Sequence, residues 1–120
     1  MCSRGEHLIC CRPCIRVISS EQGKTLSFDI ETVDKRRDED ELDLRSRNPI
    51  KRISFAYEPW KALSIPATKA YSQVIASALA SDSPKIVWNM AFDCPRLEAA
   101  GYTINGTVYD GMIAWHVLHS

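Results

Sequence analysis

The chain has 120 residues, of which 45% are hydrophobic and 25% are charged. That length and composition fit one globular domain and leave no room for a second of ordinary size. The 15 basic and 15 acidic residues give a formal net charge of zero, which argues against a uniformly basic protein that coats nucleic acid. The charge balance still allows an enzyme that offsets phosphate charge with bound metal ions.

Residues 1–24 show no periodicity and are predicted to form a poorly defined leader. Charged residues interrupt any apolar stretch of a signal peptide, and no apolar run is long enough to span a membrane. Because the leader does not look like an export signal, we expect a cytoplasmic protein whose five cysteines are reduced thiols.

Four of the five cysteines lie in this leader. Cys11 and Cys14 have the C-x₂-C spacing of zinc ligands, and Cys2 and His7 could complete such a site. No second pair of this kind follows, and Cys10 crowds the spacing. Incidental thiols are therefore the favoured interpretation.

Three β-strands are predicted in the first half of the chain. Over residues 25–31, apolar Leu26, Phe28 and Ile30 alternate with polar side chains, as in a strand with one buried face. Apolar residues alternate again over 53–57, which predicts a second strand. A turn at 59–60 and a short third strand that stops at Pro66 follow.

The charge run DKRRDEDELDLRSR, residues 34–47, separates the first two strands. It has no apolar stripe, so a solvated loop is the favoured interpretation. The alternative is a loop that contacts DNA through its arginines, Arg36, Arg37, Arg45 and Arg47.

A helix is predicted after the third strand, with Thr68 as its cap. Its apolar residues recur at the spacing of one helical face: Tyr71, Val74, Ile75, Ala78 and Leu79. The segment SDSP at 81–84 ends this helix, and the apolar run KIVW at 85–88 predicts a buried parallel strand.

Two more helices are predicted towards the carboxyl terminus. One covers residues 92–100, with Pro95 in its first turn and Gly101 as its stop. The other covers residues 112–118 and is capped by Asp110.

This element order predicts an α/β fold: a mixed sheet built from a three-strand meander and a helix–strand–helix unit, with helices packed on it. The chain stops at Ser120 while the last helix is under way, so we expect a fold that is incomplete at its C-terminus. The tryptophans Trp60, Trp88 and Trp115 are predicted core residues, with stacking on a base as the alternative for Trp60.

Three carboxylates form the sharpest functional pattern. Asp29 and Glu31 are two residues apart on a strand, so both side chains project from the same face. Like charges so close are unfavourable unless a cation joins them, and hard divalent cations take such oxygen ligands. Asp93 follows the apolar strand at 85–88 and would reach the same sheet edge if that strand lies parallel to the first.

Three converging carboxylates would suit a pair of divalent cations that catalyse in-line phosphoryl transfer. Two neighbouring residues have simpler interpretations. Asn89 is favoured as a helix cap or turn residue over a metal ligand. Phe92 is predicted to be a core residue or a wedge beneath the site.

Both carboxylate segments resemble known motifs. LSFDIET, residues 26–32, looks like the first motif of DEDD-type exonucleases, and VWNMAFD, residues 87–93, looks like the second. PRLEAAG at 95–101 and YDGMIAWHVL at 109–118 are similar to the proofreading domain of family A DNA polymerases, especially phage-type ones.

The resemblance implies an RNase H-like fold over residues 25–120. It also implies removal of nucleotides from the 3′ end of single-stranded DNA with two divalent metal ions, Mg²⁺ or Mn²⁺. A polymerase domain or subunit would then be the natural partner.

The resemblance also implies a role for each motif residue. Asp29, Glu31 and Asp93 would be catalytic metal ligands. Ile30 and Thr32 would hold the terminal nucleotide. Two residues of the second motif, Asn89 and Phe92, would line the substrate site.

The family's third motif, a Tyr or His followed four residues later by Asp, does not occur in the chain and would lie beyond Leu118. Asp110 is favoured as a helix cap and not as the missing carboxylate. His116 and His119 lie on the last predicted helix, and their family position does not support a role as the missing base.

Three functions therefore stay open from the sequence. The first is a DNA 3′–5′ exonuclease, and the second is a catalytically silent module that binds nucleic acid or a polymerase. The third is an exoribonuclease of the same superfamily, although the segment AWHVLH at 114–119 favours the polymerase branch by resemblance.

Overall fold

The computed structural model describes residues 24–33 and 49–120. The predictions for the leader (apart from Lys24), the zinc site and the charge run 34–47 lie outside these residues. The described residues form one five-stranded mixed sheet with three α-helices. The strands are β1 (Leu26–Thr32), β2 (Ile50–Glu58), β3 (Lys61–Pro66), β4 (Lys85–Val87) and β5 (Val108–Asp110). The helices are α1 (Ser72–Ala80), α2 (Met90–Ala99) and α3 (Gly111–His119).

The sheet has the strand order β3-β2-β1-β4-β5. Strands β1, β2 and β3 pair antiparallel, and β4 lies parallel to both β1 and β5. The predicted α/β fold with a three-strand meander and a helix–strand–helix unit is confirmed. Strand β5 adds a fifth strand that the sequence pattern did not predict.

The core lies on one face of the sheet. Leu26, Phe28 and Ile30 of β1 are buried, whereas the residues between them are exposed. The buried side chains share one apolar cluster with Leu79 of α1 and Leu97 of α2. Burial of each such side chain contributes roughly 1.5–3 kcal/mol, so the alternation in β1 fixes which face the helices cover.

Three details of the predicted helices are wrong. Thr68 makes no side-chain capping bond; instead a 3₁₀ turn, Lys69–Tyr71, leads into α1. Helix α2 begins at Met90, two residues earlier than predicted, so Pro95 lies inside the helix and not in its first turn. The earlier start follows from Asn89, whose left-handed backbone (φ 65°) turns the chain into the helix directly after β4.

The three tryptophans are not core residues. Their exposed fractions are 102% for Trp60, 58% for Trp88 and 55% for Trp115. Trp60 occupies the two-residue turn between β2 and β3, with a φ of 66°. Trp88 follows the last residue of β4, and Trp115 lies on α3, a helix without buried residues. None of the three belongs to the apolar core cluster of the described residues.

Helix α3 is apolar but exposed. Ile113, Val117 and Leu118 are each more than half exposed, as is Trp115. The helix has nine residues. Among the helices of the described ranges, none combines the length and the hydropathy needed to cross a membrane.

Gly101 ends α2, as predicted. Its φ is 98°, its N–H donates to the carbonyl of Glu98, and the N–H of Tyr102 donates to the carbonyl of Leu97. This is the Schellman arrangement, which favours glycine. An added Cβ would meet nothing within 4 Å, so alanine here costs only its left-handed backbone, about 1 kcal/mol.

Gly106→Ala is expected to destabilise the chain more than Gly101→Ala does. Both glycines have positive φ, but a Cβ on Gly106 (φ 82°) would overlap the backbone carbonyl oxygen of Ser83 and lie 3.0 Å from that of Asp82. Backbone atoms cannot yield as a flexible side chain can. Thermal unfolding followed by circular dichroism should show a melting temperature lower by roughly 4–8 °C than that of Gly101→Ala. Equal melting temperatures would contradict this close approach.

Candidate functional site

The carboxylate of Asp93 touches the backbone of β1. The N–H of Ile30 donates to Oδ2 of Asp93 over 3.2 Å. The N–H of Leu26 points towards β4, where it donates to the carbonyl of Pro84, and alternate residues of a strand point their N–H groups to the same side. Strand β4 ends at Val87, so Asp93 supplies the acceptor that the sheet no longer provides.

Burial makes Asp93 a weak acid. Its side chain is only 3% exposed. Burial raises the pKa of Asp93 to about 6; the Ile30 N–H lowers it, nearby Asp29 raises it, and Arg96 lowers it. The carboxylate is therefore charged at neutral pH only against the cost of its burial, and a nearby cation would favour this charged form.

Asp29 and Glu31 project from the exposed face of β1. Partial burial, followed by the charge of Glu31, raises the pKa of Asp29. Asp29 in turn raises the pKa of Asp93. Asp29 is thus electrostatically coupled to both other carboxylates, and the structure places all three at this end of the sheet.

The three carboxylates fit a divalent cation in their chemistry and their charge, because such an ion would relieve their mutual repulsion. Their arrangement is looser than that of a finished metal centre. Over residues 24–33 and 49–120, no group of three or more His, Cys, Asp or Glu side chains is arranged to hold a metal ion. The described residues provide coupled pairs, Asp29 with Glu31 and Asp29 with Asp93.

The nucleotide-binding role predicted for the first motif stays a prediction. The Ile30 side chain is 5% exposed and belongs to the core, so only its backbone faces the site, where Asp93 already accepts its N–H. Thr32 is half-buried at the end of β1 and pairs with Ile50 after a register shift that follows Glu31.

Two residues of the second motif have clear structural roles. Asn89 occupies the cap position of α2, but its side chain makes no capping bond. Phe92 packs against the core, as predicted, and its ring lies 3.6 Å from the guanidinium carbon of Arg96. The sequence patterns gave no role to Arg96, whose Nη1 donates to the carbonyl of Phe92 over 2.9 Å.

Asp110 joins two helix starts. Its carboxylate accepts the N–H groups of Asn89 at 3.0 Å, Met90 at 2.8 Å and Met112 at 2.9 Å. The predicted cap of α3 is confirmed, whereas the link to α2 was missed. That link depends on the parallel register that sets Val87 opposite Asp110, which local patterns do not reveal.

Replacing Asp110 with asparagine is expected to destabilise the chain at pH 7 and much less at pH 3. Burial alone would raise the pKa of Asp110, but the N–H groups of Met90, Asn89, Met112 and Ile113 lower it. A depressed pKa means that the stabilisation is complete above the ordinary aspartate value and is lost as the pH falls below it. Melting temperatures across this range test the expectation. Glu98→Gln, at an exposed acid of α2, is the control. A loss of stability in Asp110→Asn that does not depend on pH would contradict the expectation.

Other candidate reactive groups do not join the carboxylates. His116 and His119 are exposed on α3, and the ring of His119 stacks on Trp115 with a centroid distance of 3.8 Å. Cys94 is buried, and burial, aided by nearby acidic groups, raises the pKa of its thiol to about 11. Such a thiol is not a nucleophile at neutral pH.

No protein-family model matches the sequence, and no curated protein matches it. Eighteen chains of known structure match the fold. One is the crystal structure of the Nibbler EXO domain from Aedes aegypti, with a TM-score of 0.60 and 11% sequence identity. The match covers 89% of this chain and 51% of that one, so this chain spans about half the length of the domain it resembles. The likeness shows a shared fold, the RNase H-like arrangement of a mixed sheet with helices.

Proposed function

We propose that this chain is part of a metal-dependent nuclease domain that removes nucleotides from the 3′ end of single-stranded DNA, in the setting of polymerase proofreading. Residues 25–120 would be the amino-terminal part of that domain. The observation that carries the proposal is the hydrogen bond from Ile30 to Asp93. It brings the second acidic motif to the strand that bears Asp29 and Glu31, in a fold shared with an EXO domain.

Each carboxylate has a stated part in this function. Asp29, Glu31 and Asp93 would hold divalent cations, which activate water and stabilise charge on the leaving oxygen when bound. Asp93 is fixed by the Ile30 N–H, so it approaches from the β4 side of β1. Asp29 interacts electrostatically with both Glu31 and Asp93. Its removal should therefore disturb both coupled pairs.

The second candidate function is a catalytically silent module that binds nucleic acid. One observation favours it: within the described ranges, no three potential ligands are arranged to hold a metal ion. Such a module would retain the fold and would bind a strand without shortening it.

The decisive experiment follows a 5′-labelled single-stranded oligonucleotide incubated with the chain and Mg²⁺ or Mn²⁺, or with a chelator. We expect a ladder that shortens from the 3′ end with metal, is absent with chelator and is lost in Asp29→Ala. Glu58→Ala changes an exposed acid at the β2–β3 hairpin and should leave the ladder unchanged. Parallel DNA and RNA substrates identify the preferred strand.

Intact oligonucleotide in every lane would refute the nuclease if the chain is folded by circular dichroism. Retarded migration of the oligonucleotide on a native gel would then identify the silent module. A ladder that persists in Asp29→Ala would instead point to a contaminating nuclease.

A further inference from the structure

A cavity of about 390 Å³ lies between the start of β2, the 3₁₀ turn and helix α2. Its polar lining comes from Thr68, Lys69, Ser72 and Arg96, and its apolar lining includes Ile50 and Tyr102. The cavity is far larger than the roughly 30 Å³ that one water occupies in the liquid. It has the size of a pocket for a small organic ligand.

Arg96 is the unusual member of this lining. The side chain is 92% buried, because only 8% of it is exposed. Its Nη1 donates to the Phe92 carbonyl, but its Nε has no hydrogen-bond partner among the described residues. Buried guanidinium groups are normally paired, because an unmet donor costs about 1–3 kcal/mol. The guanidinium of this cavity-lining arginine is thus only partly satisfied by the described residues.

The sign of the charge around the cavity indicates which kind of ligand the cavity would bind. Lys69 and Arg96 contribute two positive charges, and no acidic side chain is among the described residues that line the cavity. Two hydroxyls complete the set, and that of Thr68 is not used to cap the 3₁₀ turn. Cationic forks with neighbouring hydroxyl donors are the arrangement that recognises phosphate.

We infer that this cavity binds a phosphate group, held by Arg96 and Lys69, with a sugar or another apolar moiety against Ile50 and Tyr102. The phosphate belongs either to a free nucleotide or to an oligonucleotide strand, which share this chemistry. Arg96 lies three residues after Asp93, so one residue of the cavity lies on the same helix as a carboxylate proposed to bind the catalytic metal. Binding here needs neither metal nor cleavage.

The test is titration calorimetry of the full chain with adenosine 5′-monophosphate, in the presence of a chelator and at constant ionic strength. The chelator prevents binding through metal ions on the carboxylates, so the result is independent of the proposed nuclease. We expect saturable binding of the nucleotide, and no binding of adenosine, which lacks the phosphate.

Two variants assign the binding to this cavity. Lys69 is exposed, so the Lys69→Met variant should fold normally and bind the nucleotide at least tenfold more weakly than the parent. Arg96→Lys keeps the buried charge but removes the planar fork of donors, so it should weaken nucleotide binding by a similar factor. The control is Lys61→Met, which removes an exposed lysine outside this cavity and should bind as the parent does.

A single-stranded oligonucleotide, tested in the same buffer, separates the two sources of phosphate. Oligonucleotide binding that weakens in both variants assigns the cavity to a strand, and binding of the mononucleotide alone assigns it to a free nucleotide. The inference is overturned if neither probe binds the parent chain. It is also overturned if Lys69→Met and Arg96→Lys, both folded, bind the probes as tightly as the parent.

Discussion

Replacing Lys85 with methionine is expected to lower the free energy of unfolding by about 3 kcal/mol. The side chain is completely buried, and its ammonium group donates to three backbone carbonyls, those of Ser81, Ser83 and Asn105. Methionine has a similar length but no donor, so three buried acceptors would lose their partner. Chemical denaturation monitored by tryptophan fluorescence measures the loss.

Lys61→Met is the matched control for this change. That lysine is 79% exposed and pairs with Glu58 over 3.0 Å on the hairpin. Exposed pairs contribute about 0–1 kcal/mol, so the control should unfold almost as the parent does. If Lys85→Met is as stable as the parent, the prediction is wrong: the ammonium group would then not be needed to hold together the segments after α1 and before β5.

Strand β1 shows what the sequence could predict. Its alternation is strict, and burial follows it residue by residue from Leu26 to Glu31. One-face burial forces this period on any strand that covers a core, so the strand, its buried face and the exposed acids could all be derived locally. Gly101 and the capping role of Asp110 were predictable for the same reason, since both depend on neighbours within a few residues.

The tryptophans and Lys85 show what local patterns could not predict. Large apolar residues are usually buried, yet Trp88 and Trp115 lie outside the apolar core cluster of the described residues. Lys85 was read only as the first residue of an apolar strand, although it is fully buried. Its acceptors come from two segments about twenty residues apart, and only the packed loops bring them together.

The candidate site also combines local features, which the sequence predicts, with tertiary features, which it does not. The pairing of Asp29 with Glu31 is local and was predicted from strand geometry. The approach of Asp93 required β4 to lie parallel to β1, which the sequence could state only as a condition. The free donor of Arg96 and the second helix start held by Asp110 are tertiary features, and no spacing in the sequence indicates them.

Asp93→Asn is expected to stabilise the metal-free chain at pH 8 while it removes metal binding. The folded-state pKa of about 6 lies above the ordinary aspartate value of 3.8, so the unfolded chain gives up this proton first. Stability therefore falls as the pH rises from about 4 to 6, and the full penalty, on the order of 3 kcal/mol, remains above pH 6. Asparagine keeps a carbonyl oxygen for the Ile30 N–H but carries no charge.

Asp93→Asn is expected to raise the stability of the metal-free chain and to abolish the stabilisation by metal, so a merely destabilising substitution would not give the same result. With chelator, the variant should unfold at a higher temperature than the parent at pH 8 and at nearly the same temperature at pH 4. With Mn²⁺, only the parent should gain stability, because an ion that binds the folded state alone stabilises it. Glu98→Gln, at an exposed acid on the same helix, should show neither effect. A variant less stable than the parent at pH 8 would contradict the prediction. It would mean that the Asp93 charge stabilises the metal-free fold, so the loss of stability expected of a site kept for cation binding would be absent.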